Sequence, residues 1–207
     1  MTDWAALSLK DMTRMKRDIL RFLLLRGRLQ GEGSASPEEL LYLASAVQRS
    51  GARRVAEIGF HAGFSSHAFL SADPDTRVVS FDLGEHRCTK VAKRLIDTRF
   101  PTRHTLIYGD SRTTVPGFKA GNPAARFDLV FIDGGHDYEV AKADIINMKP
   151  LCTQEAVVIM DDLVPWMSYG EGPTQAWGEA IREGIVRQEE LVQDGRKRSW
   201  ALGRYVL

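Results

Sequence analysis

Between residues 54 and 160 short apolar runs alternate with helix-patterned stretches, and that alternation most limits the folds open to the chain. The runs are 54–58, 77–81, 105–108, 127–132 and 156–160; the helical stretches are 65–71, 88–100, a short segment after Gly109, and 138–148. Strands separated by helices pair in parallel through right-handed crossovers, so the expected fold class is α/β with a doubly wound, mostly parallel sheet. A last helix is expected over 174–190. It is followed by apolar runs at 190–193 and 199–206 around Asp194-Gly195-Arg196, where the Asp-Gly pair predicts a closing hairpin.

Two helices are expected ahead of this unit. Met12, Met15, Ile19, Phe22 and Leu23 recur at three-to-four spacing, the mark of an amphipathic helix. Residues 31–36 read as a linker. Ser36-Pro37-Glu38-Glu39 then starts a helix that turns Leu40, Leu41, Leu43, Ala44 and Val47 inward and stops near Gly51. This divides the chain into an extension, 1–36, acting as a lid or homodimer contact, and a domain, 37–207.

Composition removes several classes of function. Lys and Arg number 28 against 27 Asp and Glu, a net charge of +1, which argues against a nucleic-acid binder. The two cysteines, Cys88 and Cys152, are far apart, leaving no disulfide framework or cysteine zinc site. The longest aliphatic-aromatic run, 22–25, is too short for a membrane, and no secretory signal pattern is present. A soluble, cytoplasmic protein is expected.

The chemistry gathers at strand ends. The first strand enters Glu57-Ile58-Gly59-Phe60-His61-Ala62-Gly63-Phe64-Ser65, a glycine-bearing turn into a helix that suits a cofactor without the G-x-G-x-x-G dinucleotide spacing. Asp82 closes the second strand 23 residues after Gly59, near the separation of an acid that meets ribose hydroxyls. Gly109-Asp110-Ser111 closes the third, where an acid can accept from an adenine amino group. Together these ends specify an adenosine-type ligand. The fourth strand ends Asp133-Gly134-Gly135-His136-Asp137-Tyr138, putting a carboxylate and an imidazole on one glycine-rich loop, His136 being the candidate general base. The fifth ends Asp161-Asp162, which with Asp133 makes an oxygen set for Mg²⁺ or Ca²⁺, for a cationic substrate, or for solvated caps. Beyond it, Trp166, Tyr169 and Glu171 lie on an aromatic loop suited to a sugar ring, an amine or a hydroxyl.

E-x-G-x-x-x-G, an acid closing strand two, G-D-S after strand three, and F-D-L-V-F-I-D-G-G-H-D-Y resemble the ordered motifs of class I S-adenosylmethionine-dependent methyltransferases, over residues 37–207. The similarity is strongest to the branch of antibiotic-sugar methyltransferases and catechol O-methyltransferase-like enzymes. It implies a Rossmann-like sheet with a C-terminal antiparallel strand and S-adenosyl-L-methionine in the crevice. Glu57, Gly59, Phe60, Gly63 and Ser65 would face its methionine half, Asp82 the ribose, and Gly109, Asp110 and Ser111 the adenine, with Asp133 nearby. His136 and Asp133 would be catalytic. His61, Asp161, Asp162, Trp166, Tyr169 and Glu171 would meet a small-molecule substrate, and Asp133, Asp161 and Asp162 match metal ligands of the Mg-dependent relatives. The expected reaction is N-methylation of an amino sugar of the aminoglycoside type. The alternatives are Mg-dependent O-methylation of an antibiotic sugar or phenol, and a non-catalytic adenosine-ligand module.

Overall fold

The computed structural model describes residues 7–28 and 35–206; the linker reading at 31–34 lies outside them. Helix α1 (Leu9–Leu24) starts at a capping box in which Ser8 accepts from the Asp11 backbone and Asp11 reaches back. Helix α2 (Pro37–Ser50) repeats the device with Ser36 and Glu39 and stops at Gly51, whose φ of 65° only glycine adopts freely. Then follow β1 (Arg54–Ile58), α3 (Phe64–Ala72), β2 (Arg77–Asp82), α4 (Thr89–Arg99), β3 (His104–Tyr108), α5 (Ser111–Gly121), β4 (Phe127–Ile132), α6 (Tyr138–Met148), β5 (Cys152–Met160), α7 (Glu171–Arg182), β6 (Val186–Asp194) and β7 (Arg198–Tyr205).

The strands form one sheet in the order β3-β2-β1-β4-β5-β7-β6. The first five are parallel, and β7 runs antiparallel to both β5 and β6. This is the Rossmann-like arrangement expected. The order of connection reverses between β1 and β4, the place where open α/β sheets leave a crevice at their carboxyl edge. Register sets Ile58 opposite Phe81 and Ile132, Asp82 opposite Tyr108, and Ile132 opposite Met160, so the strand ends arrive together.

Alternate residues feed two cores. Val55, Leu129, Phe131 and Ile159 pack under α1 to α4, while Ala56, Val130, Ile132 and Val158 pack under α5, α6 and α7. The stripe on α1, Met12, Met15, Ile19 and Leu23, belongs to the first core with Leu43, Phe60 and Phe69. Four such side chains, at about 2 kcal/mol each on burial, tie α1 to the domain more firmly than a moving lid requires. The last helix ends at Arg182 rather than 190, because Gly184 turns the chain at φ 68°, and β6 takes up the residues between. Among the described residues no helix is long and apolar enough to cross a membrane.

Candidate active site

The carboxyl edge of the sheet holds a cavity of about 440 Å³ lined by Gly59, His61, Asp82, Gly109, Asp110, Ser111, Asp133 and Gly134, among others. Its size suits a nucleoside-sized ligand. A more open hollow of about 620 Å³ lies at the opposite edge, but its arginines are matched there: Arg53 pairs with Asp75 and Arg54 with Asp128.

Glycine at 59 is dictated by crowding. A Cβ there would lie 1.8 Å from the Asp133 carbonyl oxygen, and φ is 94°. The turn that follows is built around Asp82, whose Oδ2 accepts from the Phe60 and His61 amides at 2.9 and 2.8 Å and whose Oδ1 accepts from Gly84 at 2.7 Å. His61 takes a φ of 45° and meets the His86 ring edge-on at 4.6 Å over the cavity. It therefore sits on the cavity reserved for the cofactor, not beside the aromatic loop. At the end of β3, Asp110 caps α5 through the Arg112 amide and is clasped by the Arg112 guanidinium, which holds its carboxyl below the usual range.

Four residues expected on the cofactor stand behind the wall instead. Glu57 is fully buried and accepts from the hydroxyls of Ser65, Ser66 and Ser80, with Ser80 bonded in turn to His104 at 2.9 Å. Burial pushes Glu57 up to about 6 against those three bonds. Ser65 is committed to this cage. Phe60 is buried and stacks on His104, and Gly63 lies where a Cβ would strike the Phe60 ring at 2.9 Å. The serine hydroxyls hold Glu57 and Ser65 inside the wall, and the packing of Phe60 on His104 and against Gly63 closes it.

The ends of β4 and β5 behave differently. Asp133 lines the cavity and is pushed well above the carboxylate range, first by burial and then by repulsion from Asp162, Glu39 and Glu57. Asp161 is 9% exposed and is raised by burial and by Glu39 and Asp133. Glu39, at the start of α2, is buried, hydrogen-bonds Asp161 and is raised to about 7, burial again leading; Arg198 opposes the shift. Asp162 adopts φ 59° and swings its carboxylate to His136, Oδ2 to Nε2 2.9 Å. That bond raises the His136 pKa, and half of its side chain stays open to solvent. Because a carboxylate accepts, Nε2 carries the hydrogen and Nδ1 keeps the free lone pair.

The aromatic loop is latched to the β6–β7 turn. Trp166 donates to the Arg196 carbonyl at 2.7 Å and Tyr169 to that of Lys197 at 2.6 Å, while the Tyr169 ring stands 5.7 Å from His136. Glu171 opens α7 and is exposed, next to Gly172, where a Cβ would lie 2.2 Å from the His136 carbonyl.

The metal expectation needs correction. Among the described residues no three His, Cys, Asp or Glu side chains are placed to hold an ion. The oxygen donors of Asp133, Asp161 and Asp162 have the right chemistry, but Asp161 is bonded to Glu39 and Asp162 to His136. The charge of Arg198 acts on the same cluster and opposes the shift of Glu39. Sequence reading missed Glu39, His86, Arg112 and Arg198. The Ser-Pro-Glu-Glu start carried Glu39 only as a helix-cap signal, and nothing local reports a partner on the far side of the sheet.

A family model described as a methyltransferase domain matches residues 56–163, more than half of the chain. A curated relative, the O-methyltransferase hkm8 of Aspergillus hancockii, is 25% identical over 165 residues, 77% of this chain; the chain spans 62% of that relative's length. The solved O-methyltransferase of Bacillus cereus, in complex with S-adenosylhomocysteine, superposes with a TM-score of 0.75 at 18% identity, covering 92% of this chain and 90% of that one. CalS11, a TDP-rhamnose 3'-O-methyltransferase of calicheamicin biosynthesis, gives 0.66 at 21%, covering 97% and 96%. The two structural likenesses establish the fold.

Proposed function

Since the chain belongs to the methyltransferase-domain family, we propose that it transfers a methyl group from S-adenosyl-L-methionine to a hydroxyl of a small molecule, with His136 as the base. The observation that carries this reading is the His136–Asp162 pair at 2.9 Å, held beside the cavity with Nδ1 free. When bound, the cofactor supplies an electrophilic methyl on a sulfonium sulfur: the C–S bond breaks toward sulfur as the new O–C bond forms. His136 Nδ1 takes the hydroxyl proton, and Asp162 stabilises the resulting imidazolium. Gly59 lets the β1 turn approach the ligand, Asp82 and Asp110 offer acceptors to ribose and adenine, and Ser111 closes the adenine end.

Oxygen is preferred to nitrogen as acceptor for two reasons. A hydroxyl holds its proton at neutral pH and needs a base, whereas an amine has a free lone pair once deprotonated. The curated relative and both solved neighbours are O-methyltransferases by name. A sugar hydroxyl is the favoured acceptor, supported by CalS11 and by the aromatic residues Trp166 and Tyr169 on the loop beside His136. The test is methyl transfer from methyl-labelled cofactor to paired hydroxyl and amino sugars. O-methylated product abolished by His136→Ala fits the proposal; N-methylated product, or undiminished turnover by that variant, contradicts it.

A further inference from the structure

The turn between β6 and β7 takes no part in the chemistry above, yet it carries the sequence's one run of three consecutive cations, Arg196-Lys197-Arg198. Asp194 pairs opposite Arg198, and Gly195 turns the chain at φ 69°. Arg196 and Lys197 are exposed, and among the described residues neither has a carboxylate at ion-pair distance. Charge at a hairpin tip is ordinary; the attachment of this tip is not. Trp166 and Tyr169 donate to the carbonyls of Arg196 and Lys197 at 2.7 and 2.6 Å, and the Leu163 amide donates to the Ser199 carbonyl at 2.7 Å. The Tyr169 ring in turn stands 5.7 Å from His136. The hairpin ladder closes the turn without these bonds, so their effect is to set where the cations stand. They stand one tyrosine ring away from the candidate base.

We propose that Arg196 and Lys197 bind a phosphate group carried by the methyl acceptor, so that the site takes a phosphorylated or diphosphate-linked sugar rather than the free sugar. The proposal rests on the sugar-hydroxyl reading given above and names its substrate class. A guanidinium fork matches two phosphate oxygens, and the neighbouring ammonium adds a point charge. A phosphate ester carries more charge and more acceptor oxygens than a carboxylate, which suits two adjacent cations. A pyranose is about as long as the tyrosine ring between His136 and the turn, so a hydroxyl at one end and a phosphate at the other reach both. The contact lies at the exposed rim. It is therefore screened by salt, and it holds ground state and transition state alike, acting on KM rather than kcat.

The test offers one panel of sugars in three forms, free, as 1-phosphates and as uridine diphosphate esters, with methyl-labelled S-adenosyl-L-methionine. A phosphate-bearing form is expected to exceed the free sugar in kcat/KM by about tenfold, through KM, with the gap narrowing as salt rises. The better of the two phosphate-bearing forms separates a monophosphate from a diphosphate-linked substrate. Arg196→Glu together with Lys197→Glu, both at exposed positions, is expected to bring the ratio close to one. Trp166→Phe keeps a ring but loses the N–H, and should cut the ratio by about threefold by unlatching the turn. Equal use of free and phosphorylated sugars by the unmodified chain, or an unchanged ratio in the double variant, overturns the inference and leaves O-methylation intact. If no sugar is methylated in any form, the sugar reading falls, and calorimetry of pyrophosphate with the S-adenosylhomocysteine-loaded protein decides the phosphate site. Binding that the double variant loses supports it; no binding by the unmodified chain overturns it.

Discussion

The two halves of the carboxyl edge use the same residue type in opposite ways. On the β1–β3 side each aspartate faces donors: Asp82 holds three backbone amides and Asp110 a guanidinium. On the β4–β5 side the carboxyls of Asp133, Asp161 and Glu39 lie close to one another in a buried space, which pushes all three toward the protonated form. The first half is a set of fixed acceptors, ready for hydroxyl and amino groups of a ligand. The second gathers carboxyls that favour their neutral form beside one half-exposed histidine paired with Asp162. Aspartate at a strand end is thus no guide to charge; what the neighbouring backbone offers decides it.

The largest effect that separates the halves should come from the base. His136→Ala is expected to lower kcat by about a thousandfold and leave the S-adenosylhomocysteine affinity within twofold, since the imidazole works only in transfer. Steady-state kinetics beside calorimetry reads both. Gly59→Ala should do the reverse. Its Cβ would collide with the Asp133 carbonyl in a backbone that favours glycine, at a cost of about 3 kcal/mol or more, and cofactor binding should fail first. Asp110→Ala is expected to weaken S-adenosylhomocysteine by about tenfold with kcat for the saturated enzyme unchanged. Loss of kcat instead would break the division between the halves.

Two pH measurements sharpen it further. Asp162 raises the His136 pKa, so kcat/KM should climb with pH along a limb above imidazole's ordinary 6.5, and Asp162→Asn should move that limb downward. The carboxyl cluster gives a smaller, thermal signal. Groups whose folded pKa is raised contribute stability that is complete at low pH and lost as pH climbs through the raised value, about 7 for Glu39. Below 6.5 the buried His67 and His104, depressed to about 4 and 3, act in the opposite sense. Between pH 6.5 and 8.5 the carboxyls dominate, and Tm should fall by about 2–5 °C, less in Asp161→Asn. A divalent ion that restores Tm at pH 8.5 in the native chain, but not in that variant, would assign the cluster to a metal.

Much of the edge is legible in the sequence. Parallel strands joined by helices must end at one edge, so Gly59, Asp82, Asp110, Ser111, Asp133 and His136 were bound to converge once the alternation was read. Residues with interior strand positions or early helix positions were not legible in this way. The family resemblance implies Glu57 and Ser65 as crevice residues, yet they turn into a serine cage. Glu39 reads as a helix start, and its contact with Asp161 is a tertiary fact with no local signature. The left-handed turn at Asp162, whose carboxylate meets His136, is equally silent in sequence.

The division of labour along this edge is open to direct observation in a crystal structure of the S-adenosylhomocysteine complex. The account predicts adenine between Asp110 and Ser111, ribose on Asp82, and the sulfur facing the space before His136 Nδ1. A ligand whose sulfur points away from His136, or whose adenosine lies outside the cavity bounded by Gly59 and Gly109, would contradict it.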